Sequence, residues 1–378
     1  MESIQQFSWL SPTWVLAFVF VLTVIVFFHE LGHFLVARWC GVGVKIFSVG
    51  FGPELIGWTD RNGTRWRISA IPLGGYVKFL GDENVASVTD RNALARMNPG
   101  EYAHSFPAKS VGQRAAIVAA GPIANFILAI AIFAIIFAVF GRQVTTPRVD
   151  TVTPGSAAEA AGFVPGDLVV AIDGAPIETF GDLQRIVTIS AGRPLAVTVE
   201  RAGTRVNLAA TPELREQTDR FGNVHRIGML GIGRSATNAD IVTQRFSVPE
   251  AIWLGTQETW FVVDRTVGYI GGVISGRESP DQLGGPIRVA QVSGQVATLG
   301  FLALINLAAI LSVSIGLINL FPIPMLDGGH LLYFAVEAVR GKPLSERAQE
   351  MGFRVGLALV ILLMLFATWN DILHLAGS

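Results

Sequence analysis

The sequence predicts a polytopic α-helical membrane protein with four transmembrane helices, a membrane-associated β-hairpin region and one inserted α+β domain. Three observations carry this reading. Hydrophobic residues make up 51% of the 378-residue chain and charged residues only 15%, where an ordinary soluble domain carries roughly a quarter charged. Mean hydropathy is +0.50. Four apolar stretches approach the ~20 residues that a bilayer requires, and the long segment between the second and third has the pattern of a soluble domain.

The apolar stretches run over Trp14–Ala37, Ala115–Phe140, Phe301–Leu320 and Phe353–Trp369. The first is read as retained rather than as a secretory signal, because Met1–Pro12 holds no Lys or Arg and the apolar run is too long for a signal core. A fifth candidate, Ala251–Ile274, carries Glu258, Asp264 and Arg265 in its middle. It reads as an amphipathic helix on the membrane surface.

Basic residues in short loops set the orientation. The loop Arg38–Arg114 holds ten basic against six acidic residues, and Arg340, Lys342, Arg347 and Arg354 follow the third span. These loops are expected in the cytoplasm of a bacterial inner membrane, with both termini and the long insert outside. The fourteen arginines of the insert do not oppose this, because long domains translocate largely regardless of charge. The organisation expected is residues 1–141 for the first two helices and the cytoplasmic β-loop, and 142–235 for the inserted domain. Residues 236–296 form an outer linker with the amphipathic helix, and 297–378 the last two helices. A net charge of −1 argues against a nucleic-acid partner; the single Cys40 excludes an internal disulfide. In the insert, Leu168–Ile172 and Leu195–Val199 are strand-like runs, and Asp173-Gly174 is a hairpin signal.

The chemistry is carried by His29-Glu30-Leu31-Gly32-His33, inside the first apolar stretch. Histidines four apart share one helix face and can bind one metal. Glu30 is placed to act as a general base on water at that metal. A pair of core histidines with an unrelated glutamate is the plain alternative. It is weak inside hydrocarbon, where an unpaired charge costs about 2.5 kcal/mol or more. A catalytic metal wants a third protein ligand and an open position. Counting from Trp14, His29 lies about 22 Å along the helix at ~1.5 Å per residue, at the depth where the third stretch ends. There Pro322 and Pro324 break the helix just before Asp327-Gly328-Gly329-His330, and non-helical backbone at that depth must line a cavity or pack on protein. Asp327 is the expected third ligand, since two histidines and a carboxylate form a known hydrolytic set. His330 is the competing candidate, and otherwise a supporting hydrogen-bonder.

At these residues the chain resembles the site-2 protease family of intramembrane zinc metalloproteases, and within it the branch of the regulator of sigma-E protease. The matching motifs are His29-Glu30-x-x-His33, Asn319-x-x-Pro322-x-Pro324-x-Leu326-Asp327-Gly328, Gly121-x-x-x-Asn125 and Gly50-Phe51-Gly52-Pro53. The resemblance implies Zn2+ held by His29, His33 and Asp327, with Glu30 as the catalytic acid/base. It also implies Gly50, Phe51, Gly52, Asn125 and Asn319 in contact with an unwound substrate. The stretch Val42–Phe79 would supply a hairpin edge for that substrate to pair with. Val152-Thr153-Pro154-Gly155 and Gly166-Asp167-Leu168 resemble a PDZ module, which would bind a peptide ligand; the best-known bacterial members carry two such modules and this chain shows one. Single-span membrane proteins, such as anti-sigma factors or remnant signal peptides, are the implied substrates, with lipid as the surrounding partner. A zinc transporter and a catalytically silent PDZ-bearing membrane adaptor are the rival readings. The first is disfavoured because the other spans lack further His or acidic chains, the second because a silent relative has little use for Glu30.

Overall fold

The computed structural model describes residues 12–81, 96–218, 224–235, 242–276, 280 and 284–377. The extreme N-terminal tail, whose outward placement is expected from its lack of basic residues, lies outside them. In chain order the helices are α1 (Pro12–Trp39), α2 (Pro99–Ala103), α3 (Val111–Val139), α4 (Ala157–Ala160), α5 (Phe180–Ile189), α6 (Val248–Ile274), α7 (Pro286–Ala297), α8 (Phe301–Asn319), α9 (Asp327–Arg340) and α10 (Glu346–Gly377). Among the described residues four helices are long and apolar enough to cross a membrane: α1, α3, α8 and the stretch Arg347–Leu373 of α10. The charged α6 is a continuous helix but does not join them.

The chain divides into two compact units. The first holds the four apolar helices. Helix α1 starts at Pro12, where a missing N–H costs nothing. It ends at Gly41 in the left-handed region (φ 70°), with the Val42 N–H donating to the Ala37 carbonyl. Its N-terminal half buries Ala17, Val21 and Ile25, spaced by four, against Leu304 and Ala308 of α8. Its C-terminal half buries Phe34 and Ala37 in a cluster with Phe47 and Val77 of the hairpin, Ile117 of α3 and Phe334 of α9. Helix α7 lies in the stretch expected as an outer linker, yet it belongs to this unit: Trp14 of α1 fills the space where Gly294 lacks a side chain. The buried Asp371 carboxylate accepts from the Gly285 and Arg288 N–H groups, capping α7.

Strands β1 (Val44–Thr59) and β2 (Arg65–Phe79) form the hairpin, and it folds on itself. Phe47 pairs with Val77 on one side and Trp66 on the other, while Trp58 also pairs with Trp66. Two strands thereby make a four-deep ladder. The reversal is placed by Gly50, Gly52 and Gly74, all at positive φ (91°, 85° and 105°), where a Cβ is disfavoured.

In the second unit the short strands β3 (Arg142–Val144) and β4 (Thr151–Val152) precede an antiparallel sheet of order β6-β5-β7-β8, made of β5 (Leu168–Ile172), β6 (Ala175–Pro176), β7 (Leu195–Arg201) and β8 (Thr204–Ala210). Asp173 and Gly174 are both at positive φ (49° and 81°) between the paired Ile172 and Ala175, which is the hairpin turn expected there. Val169, Val197 and Val199 point into a core closed by Leu183 and Val187 of α5. Beneath it Arg201 donates to both oxygens of the buried Asp167, at 2.7 and 2.8 Å.

Candidate active site

Helix geometry puts His29 and His33 one turn apart on the same face of α1, with ring centroids 4.8 Å apart and Nε2 atoms 3.2 Å apart. The chain reaches them a second time through the break after α8. Ile323 N–H donates to the Phe321 carbonyl and Leu326 N–H to that of Ile323, while Pro322 and Pro324 supply no N–H to continue a helix. Met325 is held at φ 99°, a conformation that costs on the order of 1–3 kcal/mol in a non-glycine residue. Asp327 then opens α9, where the helix dipole favours a carboxylate. Gly328 and Gly329 follow because any Cβ there would meet the carbonyls of Leu320, Phe321 and Ile323.

Asp327 Oδ2 lies 3.2 Å from His29 Nε2 and 3.6 Å from His33 Nε2. The edges of this triangle can be tested against a metal. A tetrahedral centre with ligand bonds of ~2.0–2.1 Å separates its ligand atoms by about 3.3–3.4 Å, and 3.2, 3.2 and 3.6 Å bracket that value. Asp327 Oδ2 is moreover buried and accepts no aligned hydrogen bond, which a bound cation would remedy. Among the described residues these three form the cluster of His, Cys, Asp or Glu ligand atoms that fits one ion. His330 stands outside it.

The triangle opens on a cavity of about 380 Å³ lined by Glu30, Phe51, Tyr76, Asn319 and His330, among others. Glu30 is buried against the hairpin. Gly75 allows this approach: a Cβ there would fall 2.7 Å from Val26 and 3.1 Å from Glu30 Cγ. Burial pushes the His330 imidazole below its ordinary pKa, so its ring faces the cavity uncharged near neutral pH. Of the residues expected at the substrate, Phe51 and Asn319 line the cavity, and Gly50 and Gly52 flank Phe51 at the bend of β1. Asn125 is fully buried, with its carboxamide 3.3 Å from His29 Nδ1.

Two contacts with α3 support the histidines. His33 Nδ1 donates to the Ile117 carbonyl of α3 at 2.9 Å. A side chain on Gly121 would collide with His33 Nε2 and lie 2.9 Å from His29 Cε1. The Gly121-x-x-x-Asn125 spacing signals a close helix approach, but only coordinates show which histidines it admits.

Four apolar helices around a His–Glu–His–Asp cluster are the outline of a membrane metallopeptidase. The chain belongs to Peptidase family M50, the site-2 protease family, whose model matches residues 17–363. It is 52% identical to a relative of Agrobacterium fabrum with the provisional name zinc metalloprotease Atu1380, over all of both chains. It is 43% identical to Metalloprotease MmpA of Caulobacter vibrioides, over 95% of each. Zinc metalloprotease RasP of Geobacillus kaustophilus is 32% identical, over 95% of this chain and 97% of its own.

Proposed function

We propose that this chain is an intramembrane zinc metalloprotease that hydrolyses peptide bonds within or near the transmembrane segments of single-span membrane proteins, in the manner of regulated intramembrane proteolysis. The observation that carries the proposal is the triangle of His29, His33 and Asp327 at tetrahedral spacing beside the buried Glu30. Zn2+ is the expected cofactor, and the zinc metalloprotease names of the relatives agree with that donor set. When bound, zinc supplies Lewis acidity toward a carbonyl oxygen and makes water a competent nucleophile near neutral pH.

The remaining work falls to side chains of this protein. Glu30 takes the proton from the attacking water and delivers it to the leaving amide nitrogen. Phe51 and Asn319 hold the unwound segment across the cavity, and the hairpin offers it backbone partners, which a chain taken out of its own helix requires. Leu55, Ile56 and Trp58 of the hairpin are exposed, large and apolar, which suits contact with lipid. We place the cavity toward the cytoplasmic side of a bacterial inner membrane and the second unit outside, from the loop charges. The second unit reads as a PDZ-like module that captures a peptide from the substrate or a partner. The test is cleavage by the purified, zinc-loaded chain in detergent. A single-span transmembrane peptide should be cut internally, whereas cutting confined to unfolded soluble peptides would refute an intramembrane specificity.

A further inference from the structure

A histidine that presents Nε2 to a metal carries its proton on Nδ1, and that proton needs a fixed acceptor. His33 has one in the Ile117 carbonyl, at 2.9 Å. The partner that the structure gives His29 Nδ1 is the carboxamide of Asn125, whose nitrogen is placed 3.3 Å away. Asn125 has no access to solvent, and in this orientation its carboxamide oxygen is buried without any partner. It is also locked in place from behind. The Ser312 hydroxyl of α8 donates to the main-chain carbonyl of Asn125 at 2.9 Å, and Gly316 leaves so little room that a Cβ would sit 3.1 Å from Asn125 Cβ. A side chain placed to touch substrate would instead face the cavity, as Asn319 does.

Which carboxamide atom faces His29 follows from the ring. Oxygen and nitrogen exchange by a half-turn of the amide plane. His29 Nε2 points at Asp327 Oδ2, 3.2 Å away, so a metal held there needs the Nε2 lone pair and leaves the proton on Nδ1. Only the oxygen of Asn125 can accept that proton. We propose that Asn125 is a positioning residue for zinc: its carboxamide oxygen accepts the His29 Nδ1–H and fixes the tautomer and ring plane that present Nε2 to the ion. This rests on the assignment of His29 as a zinc ligand made above.

The experiment uses the full-length chain in detergent, with zinc affinity read by competition against a chromophoric chelator and ligand geometry by the visible absorption of the Co2+-substituted protein. Asn125→Leu, similar in size but without an acceptor, should weaken zinc binding by about 10–100-fold and shift the Co2+ spectrum. Asn125→Asp, which keeps an oxygen at the same place, should restore both toward the parent values. If Asn125→Leu does not fold, judged by helix content and monodispersity, Asn125→Ala takes its place. Unchanged affinity and spectrum in the acceptor-less variant would overturn the proposal, as would an equal loss in a folded Asn125→Asp. His29→Ala in the same assay separates the two levels. If it keeps its zinc, the assignment of His29 itself fails. If it loses zinc while Asn125→Leu does not, only the positioning role falls.

Discussion

The Asp327 carboxylate oxygen Oδ2 and His29 Nε2 lie 3.2 Å apart, delivered by the start of α9 and by the apolar α1, and no aligned hydrogen bond joins that oxygen to any donor. Two hydrogen-bond acceptors that face each other across a buried gap repel unless a proton or a cation stands between them. The whole account of the site follows from this pair and from His33, the third corner.

Asp327→Ala should therefore reduce zinc content as well as cleavage, because two histidines alone hold the ion poorly. His330→Ala should retain zinc and lose less activity, since His330 lines the cavity but stands outside the ligand triangle. Metal analysis of the two purified variants checks this, and the reverse order would make His330 the third ligand.

Gly121→Ala should damage the site without touching any charged group. The added methyl meets His33 Nε2, so one ligand must move. Zinc affinity should fall about tenfold or more, as for loss of a ligand-orienting contact. Gly112→Ala on the same helix α3 meets nothing within 4 Å and should leave zinc affinity unchanged. Equal zinc titrations for the two variants would contradict the packing argument.

The second unit should weaken in acid. Burial raises the Asp167 pKa, but the hydrogen bonds from Arg201 and the Val164 N–H outweigh it, and the net shift is downward. A carboxylate with a lowered folded-state pKa stabilises the fold above its unfolded pKa of about 3.9 and loses that contribution as pH falls through the folded value. Hydrogen exchange of strands β5 and β7 in the full chain should accelerate below about pH 4. Asp167→Asn should destabilise the unit by roughly 2–3 kcal/mol at neutral pH and remove most of the acid sensitivity. Identical pH profiles for parent and variant would show that the pair contributes little.

Orientation is testable apart from any chemistry. With Cys40 replaced by Ser, Thr204→Cys at the exposed start of β8 should react with an impermeant thiol reagent on intact cells, and Glu101→Cys in the exposed α2 should not. The opposite pattern would turn the protein over in the membrane.

The extent to which the sequence disclosed the site differs from residue to residue, for physical reasons. His29, Glu30 and His33 were legible because an i, i+4 pair is local helix geometry, and because ionisable groups in an apolar run demand an explanation. Asp327 was legible by depth, since Pro322 and Pro324 mark where the third apolar helix must end. The placement of Asn125 beside His29 was not legible, because a buried amide looks the same in sequence whether it faces substrate or a histidine. Nor was the doubled ladder of the hairpin: a strand that pairs on both edges has the same alternation as one that pairs on a single edge. Helix α7 escaped notice because Arg288, Gln291, Ser293 and Gln295 interrupt its apolar pattern, and its burial depends on Trp14, far away in the chain.

The most direct measurement is made on Glu30→Gln, assayed side by side for bound zinc and for cleavage of a transmembrane peptide. Glu30 is not a corner of the ligand triangle, yet it is buried beside it and in the proposed reaction handles both proton transfers. The account predicts that the variant keeps a full complement of zinc, with cleavage lowered by about 100-fold or more. Substantial turnover by the zinc-loaded variant, or loss of its zinc, would contradict it.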